Sequence, residues 1–253
     1  MAKDDDVTTR KTTETSLAIL DGLSKLEGAT LSELAEYVGL ATSTVYTHLH
    51  TLEEAEYVIE LDGEYRLGLK LFHLGEKARS RDDRYRLARQ AASELAARVT
   101  EEVNFSVEEY GRSIVLFEGS NSAQRGEFQV GRYFYMHSSA SGKAMLAEYP
   151  EERVREIIDE WGLPGHTDET ITDVEELLTE LATVAEQGYA VNRQEEIEGM
   201  RAVAVPVMEP DGSVFGTLDI SGPSYRLADD EEILSQLRPS VERLETALEQ
   251  HGG

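Results

Sequence analysis

The sequence contains no cysteine, so neither disulfides nor thiol chemistry contributes to its structure or function. It has no run of about 18 apolar residues, which excludes a transmembrane helix of ordinary length. Its opening, MAKDDDVTTR, lacks the apolar core of a signal peptide, and the expectation is a soluble, cytoplasmic protein. Basic charge is scarce: 24 Lys and Arg stand against 50 Asp and Glu, a formal net charge of −26, and only 6 of the 24 are lysine. The acidic excess is spread along the whole chain rather than gathered in a tail. One reading is a surface built for molar salt, where charge is screened and carboxylates hold water and cations. The other is an acidic protein of ordinary salt that avoids nucleic acid, since affinity for DNA usually comes from basic groups. There is no internal repeat and no low-complexity tract. A length of 253 residues fits two modest domains better than one.

Against that charge balance stands one ordered set of signals between Thr30 and Leu67. Thr30 and Glu33 form a capping-box pair that starts a short helix with Leu34, Ala35 and Val38 on its apolar stripe, and Gly39 can take the positive φ that ends it. Thr42 is expected to cap a second helix that buries Val45, Leu49 and Leu52. Ser43, Thr44, Tyr46 and Thr47 are left facing outward, small or hydrogen-bonding groups suited to a helix in a major groove. His48 and His50 are two residues apart on that helix, point apart, and read as surface or groove residues rather than metal ligands. Two β-rich runs, Tyr57 to Leu61 and Glu64 to Leu67, meet at Asp62-Gly63, a tight hairpin turn. The sum is a winged helix-turn-helix, and double-stranded DNA is the expected partner. Just beyond it, residues 66–89 hold eight basic residues against three acidic ones, a local +5. Arg66 and Lys70 open that stretch and are candidate phosphate contacts.

The expected domains are a flexible 1–12, a DNA-binding unit over 13–78 beginning with a helix from Thr13 to Leu26, a linker helix over 79–101, and a second domain over 102–253. Leu87, Ala91, Leu95 and Val99 form a narrow stripe on the linker helix, suited either to a dimer contact or to packing on its own domain. Strands are expected at Asn104–Glu109, Ile114–Glu118 and Gln129–Met136. Helices follow after HSSASGK, at Glu151–Trp161 and at Asp173–Gln187 with Thr172 as cap. Arg201–Met208 and Val214–Ile220 form a hairpin, and a last helix spans about Asp229 to Gln250. Antiparallel strands with segregated helices make this an α+β domain.

His137, Ser139, Ser141 and Asp219 are the residue types of a hydrolase, but no Gly-x-Ser-x-Gly elbow and no oxyanion-hole element accompany them. The six histidines do not fall into metal-ligand spacing, so no enzyme activity, cofactor or metal is expected.

Three separated motifs carry a resemblance. STVYTHLHTLEEAEYV with YRLGLKLFHLG, then HSSASGKA, then GYAVN, EGMRAVAVPV and PDGSVFGTLDISGP resemble the IclR family of transcriptional regulators along essentially the whole folded chain, here as an acidic, haloarchaeal-like member. The resemblance implies a GAF-like effector-binding second domain, a homodimer or dimer of dimers, and a small-molecule metabolite whose binding controls operator affinity. The alternative is a second domain that only dimerises. The resemblance places effector contacts on Ser139, Ala140 and Ser141, on Asn192, at Ala202, and on Asp219 and Ser221, which share one strand face, with Phe134 and Met136 as apolar wall. The chain departs from the family at Thr42 and Thr47, where basic residues are common, and at Glu56, where glycine ends the reading helix. A non-glycine residue there costs about 1 kcal/mol and is expected to alter the helix end slightly. Asn192 stands where acidic residues are frequent, and Asp219 where a small hydroxyl is frequent. Asp219 is either a solvated strand residue or a pocket carboxylate that repels anionic effectors and favours hydroxyl or ammonium groups, as in a sugar derivative or amine.

Overall fold

A computed structural model of the chain describes residues 9–119 and 130–251. The chain divides into two compact units, Met1–Arg81 and Asp82–Gly253.

The first unit runs α1 (Lys11–Lys25), α2 (Leu31–Val38), α3 (Thr42–Glu54), β1 (Val58–Leu61), β2 (Glu64–Leu67) and α4 (Lys70–Arg79). Residues 1–8 of the segment expected to be flexible lie outside the described residues, and Lys11 and Thr12 are already helical. Ile19 and Leu23 of α1, Leu34 of α2, Val45 and Leu49 of α3 and Val58 of β1 meet in one small core. The Thr30–Glu33 capping box is formed and Gly39 closes α2 with φ 67°. The β1–β2 hairpin turns through Asp62 and Gly63, both at positive φ, as its twist requires. Ala29 adds a short third rung, exchanging backbone hydrogen bonds with Tyr65 at 3.0 and 2.7 Å. The cap of α3 is Ala41, which has no side chain to offer, so Thr42 is the first helical residue and not the cap.

The second unit contains α5 (Tyr85–Ala96), β3 (Glu102–Glu109), β4 (Arg112–Gly119), β5 (Tyr133–Tyr135), α6 (Ala140–Leu146), α7 (Glu151–Trp161), α8 (Val174–Gln187), β6 (Ala190–Arg193), β7 (Met200–Met208), β8 (Val214–Pro223) and α9 (Asp230–His251). Its strands form one antiparallel sheet in the order β5-β4-β3-β8-β7-β6. The expected strand start at Gln129 lies outside the described residues, and the strand itself begins at Tyr133. Asp173, not Thr172, caps α8, its carboxylate accepting from the Glu175 and Glu176 N–H groups at 3.0 Å.

The linker helix does not run the whole of 79–101: α4 ends at Arg79, and the helix that follows, α5, spans only Tyr85–Ala96. Asp82 accepts from the Arg84 N–H at 2.9 Å, a local side-chain bond that competes with helix and separates α4 from α5. Nor is the apolar stripe where its spacing put it. Ala88, Ala92, Leu95 and Ala96 are the buried face, with Leu87, Ala91 and Val99 at its margin. These small residues let α5 pack beside α9 against one face of its own unit's sheet, the face made by Val103, Phe105, Val203, Val205, Leu218 and Ile220. The opposite face of the sheet carries α6.

Candidate functional site

The outward face of α3 follows from its inward one. With Val45 and Leu49 fully buried, the 3.6-residue period turns Ser43, Thr44, Tyr46, Thr47 and His50 to solvent, and Tyr46 is 54% exposed. His48 belongs to the other side, where its Nδ1 meets the Ser16 hydroxyl at 2.8 Å. The helix carries no Lys or Arg, so its polar face offers hydroxyls, imidazole and phenol. Its C-terminus is regular despite Glu56, which takes φ 64°. The Glu56 N–H donates to the Glu53 carbonyl at 2.8 Å and the Tyr57 N–H to the Leu52 carbonyl at 2.8 Å, the paired bonds of a left-handed helix end. The expected alteration is therefore absent; the cost is carried in the Glu56 backbone. Lys70 completes this end, its ammonium donating to the Ala55 carbonyl at 2.8 Å and lying 5.0 Å from the Tyr57 ring centroid.

The basic stretch is less available than its sum suggests. Arg66 pairs with Glu64 at 2.8 Å, Arg79 with Glu76 at 2.6 Å, and Arg84 with Asp82 at 2.7 Å and with Glu209. The hairpin tip presents Glu60, Asp62 and Glu64. Arg84, Arg86 and Arg89 belong to the second unit, so the stretch does not act as one patch of the first.

In the second unit, register assembles a polar face. Asn104, Asp219, Ala204 and Ala190 lie in one row across β3, β8, β7 and β6; Ser106, Thr217 and Pro206 form the next; Ser221, Ala202 and Asn192 lie on the other side. Directly opposed residues share a sheet face, so these groups all point toward α6. Asp219 is 3% exposed, which ends its reading as a solvated strand residue. Its two oxygens accept from Asn104 Nδ2 at 3.0 Å and from the Ser141 hydroxyl of α6 at 3.0 Å. Asn104 Nδ2 also reaches Ser221 Oγ at 3.2 Å. Burial pushes the Asp219 carboxyl up to about 6, against the lowering pull of the bonds from Asn104 and Ser141.

α6 is seated by its own lead-in. Ser139 caps it, accepting from the Gly142 N–H at 3.1 Å while its hydroxyl donates to the Tyr135 carbonyl at 3.1 Å. Gly142 is required because a Cβ there would stand 2.3 Å from the Met136 carbonyl oxygen. Asn192 binds the same loop, donating to the Ser138 carbonyl at 2.6 Å and accepting from the Glu195 N–H at 3.2 Å. Lys143, wholly buried, holds Glu195 at 2.8 Å and Glu180 of α8 at 3.0 Å. Burial raises the Glu195 pKa, and Lys143 opposes that rise. His137 donates from Nε2–H to the Pro164 carbonyl at 3.1 Å, which fixes Nε2 as the N–H side. Burial lowers its pKa to about 4 despite that bond, and His166 and Lys143 lower it further.

Thus Ala140, Ser141, Asn192, Ala202, Asp219 and Ser221 come together between α6 and the sheet, whereas Phe134 lies opposite Ser113 on the edge strand β5, three strands away from β8. Met136 does not join them; it packs with Met145, Leu146 and Ile157 in the α6–α8 core. Asn192 and Ser139 are present but use their polar atoms on the protein's own backbone. Missing from the expected set are Asn104, Ser106, Ser113 and Thr217, all buried on or beside this face. Alternation of polar and apolar residues on β3 and β8 is visible in the sequence, but it reads equally as a solvated face.

Among the described residues, no group of acidic and histidine side chains is arranged to hold a metal, and no helix is long and apolar enough to cross a membrane. Comparison with known proteins matches residues 13–61 to the IclR helix-turn-helix domain and residues 77–246 to the bacterial transcriptional regulator IclR C-terminal family. The chain is similar to the probable HTH-type transcriptional regulator ArcR of Halobacterium salinarum, at 31% identity over 92% of each chain. It is similar to the HTH-type transcriptional regulator KdgR of Dickeya chrysanthemi, at 34% identity over 92% of this chain and 78% of that one. An IclR homolog from Microbacterium hydrocarbonoxydans, solved in complex with 4-hydroxybenzoate, superposes with a TM-score of 0.76 at 25% identity, covering 95% of this chain and 100% of that one. Both units, in this order and over nearly their whole length, are those of one group of non-enzymatic regulators, and the chain belongs to the IclR family of DNA-binding transcriptional regulators.

Proposed function

We propose that this regulator binds its operator through α3, with Ser43, Thr44, Tyr46 and Thr47 at the bases and Thr42, His50, Arg66 and Lys70 at the margins. Its affinity is set by a small metabolite held between α6 and the polar sheet face. It acts in the cytoplasm as a homodimer or dimer of dimers, and its acidic surface is suited to high salt. The single observation that supports the effector half is Asp219: a carboxylate buried under α6 and bonded to it through Ser141. A helix joined to a sheet through a buried polar contact is a natural element for a ligand to displace or brace.

The same carboxylate selects the ligand. The relative described above was solved with a hydroxybenzoate, an anion. An anion placed beside Asp219 would meet an ionised carboxylate at neutral pH, so the effector here is neutral or cationic. The test is to select DNA fragments bound by the full-length protein, footprint the site, and measure its affinity with and without neutral, cationic and anionic metabolites. Release or tightening by a neutral or cationic compound supports the reading. Operator binding that no metabolite alters would leave the second unit as a dimerisation module.

A further inference from the structure

Among the described residues, three hydroxyl oxygens and one amide oxygen on or beside the α6-facing side of the sheet have no hydrogen-bond partner: Ser106 Oγ, Ser113 Oγ, Thr217 Oγ1 and Asn104 Oδ1. Each belongs to a residue at most 1% exposed. Buried hydroxyls and amides in native proteins are almost always bonded, so four together on one surface call for a common explanation. They are contiguous. Asn104 and Ser106 are two residues apart on β3, Thr217 stands directly opposite Ser106 on β8, and Ser113 lies two residues from Val115, which stands opposite Ser106 on β4. The centre of the other face of the same strands is apolar, made by Val103, Phe105, Val107, Leu218 and Ile220, with charged residues such as Glu109 only at strand ends.

Asp219 explains what the four are not. Each of its oxygens already accepts one bond, from Asn104 Nδ2 and from Ser141, and Asn192 bonds to backbone through both Nδ2 and Oδ1. The atoms here with no bond at all are three hydroxyls, each a donor and an acceptor, and one amide carbonyl, an acceptor. None is charged. Such a set matches a ligand whose own groups both donate and accept and which brings no net charge. It matches poorly a carboxylate, which only accepts, or an ammonium, which only donates.

We propose that Asn104, Ser106, Ser113 and Thr217 form the floor of the ligand site and bind an uncharged polyhydroxylated compound. This rests on the effector reading above and narrows it from neutral or cationic to neutral polyol, with these residues determining specificity. Because all four are closed off from solvent, the ligand enters by a local opening of this region, and association is slower than diffusion.

The test uses the full-length protein and two variants, Thr217→Val and Ser106→Ala. Trp161 is the sole tryptophan and lies in the second unit, so its fluorescence reports melting of that unit alone. A hydroxyl that serves a ligand leaves the ligand-free protein no less stable when removed, whereas one that serves the fold lowers the melting temperature. The expected result is an unchanged or raised melting temperature in both ligand-free variants. Xylitol, D-mannitol and myo-inositol are the neutral probes, with D-gluconate and D-glucosamine as charged counterparts. At least one neutral polyol should raise the wild-type melting temperature saturably, and its Kd should weaken by about tenfold or more in each variant. General stabilisation by polyols is distinguished by being unsaturable and equal in all three proteins. A lowered melting temperature in the ligand-free variants overturns the proposal, as does saturable binding of the charged probes alone or of no probe. If another metabolite releases the operator equally well from wild type and Thr217→Val, this floor is wrong while the effector reading stands; if operator affinity responds to nothing, that reading fails instead.

Discussion

Two buried groups in the second unit titrate in opposite senses, and separating them tests the electrostatics of the site. The folded protein keeps a proton on Asp219 up to about pH 6, whereas the unfolded chain releases it near 3.8. That stabilising contribution is complete below about 3.8 and is lost as pH rises through 6. His137 runs the other way: the unfolded chain takes up a proton near 6.5, while the folded one stays neutral down to about 4. Its contribution is complete above 6.5 and is lost as pH falls toward 4. Each displacement corresponds to about 3 kcal/mol. Between pH 4 and 6 the two nearly cancel, so wild type shows little of either.

Asp219→Asn keeps the shape and removes one side of that balance. Relative to wild type, the variant should gain about 3 kcal/mol between pH 4 and pH 7.5. At about 2–4 °C per kcal/mol for a unit of this size, the melting difference should widen by roughly 6–12 °C. His137→Gln, which keeps an N–H for the Pro164 carbonyl, should show the reverse: a difference that falls as pH rises. The assay is thermal melting followed by Trp161 fluorescence over that pH range. Taking differences against wild type cancels the exposed carboxylates common to all three proteins. A flat difference curve for Asp219→Asn would mean that its carboxylate is solvated in the folded state, and would refute both the burial argument and the exclusion of anionic effectors built on it.

Replacing Ser43 and Tyr46 together by Ala should weaken operator binding by about 2–6 kcal/mol, at about 1–3 for each base contact, with the melting curve unchanged; equal affinity by fluorescence anisotropy would move the reading surface elsewhere. Lys143→Met leaves buried Glu195 and half-buried Glu180 without their cation and should destabilise the second unit by about 3–5 kcal/mol in a denaturant titration. Gly142→Ala drives a Cβ into the Met136 backbone, where no side chain can yield, and should cost at least about 3 kcal/mol by the same measurement. Operator binding should persist in molar KCl with a shallow or positive dependence on salt, since low salt leaves the −26 charge to repel DNA and molar salt cuts the Debye length to about 3 Å. A steep monotonic loss between about 0.2 and 2 M KCl, with the protein shown to stay folded, would sink the reading of the surface as a salt adaptation.

What could be read from the sequence divides by the range of the interaction responsible. The capping box at Thr30, the hairpin at Asp62-Gly63 and the apolar period through Val45 and Leu49 are local devices, and they place α2, α3 and the hairpin where the structure has them. Where two local devices competed, the choice went astray: Asp173 outbids Thr172 as a cap because its carboxylate reaches two N–H groups, and Asp82 breaks a helix whose composition alone would continue. The stripe on α5 was misplaced by one residue because alanines at 88, 92 and 96 bury through close approach rather than bulk. Charge summed along the chain also misled, since Arg66, Arg79 and Arg84 face carboxylates that a running total counts but does not pair.

The polar sheet face is the largest discrepancy, and it has a single cause. On β3 and β8 the alternation of Asn104, Ser106, Thr217, Asp219 and Ser221 with large apolar residues is the pattern of a strand with one wet side. Only α6, which arrives from a distant part of the chain and is held by Lys143 and Asn192, turns that wet side into an interior. A resemblance to a family motif points to Asp219 and Ser221, but it does not point to Asn104, Ser106 or Thr217, whose importance lies in being enclosed. Specificity for one ligand within a family is expected to reside in such places. Atoms left unsatisfied inside an enclosed site can be changed at little cost to the fold, whereas the contacts that close it, such as Lys143 with Glu195, cannot.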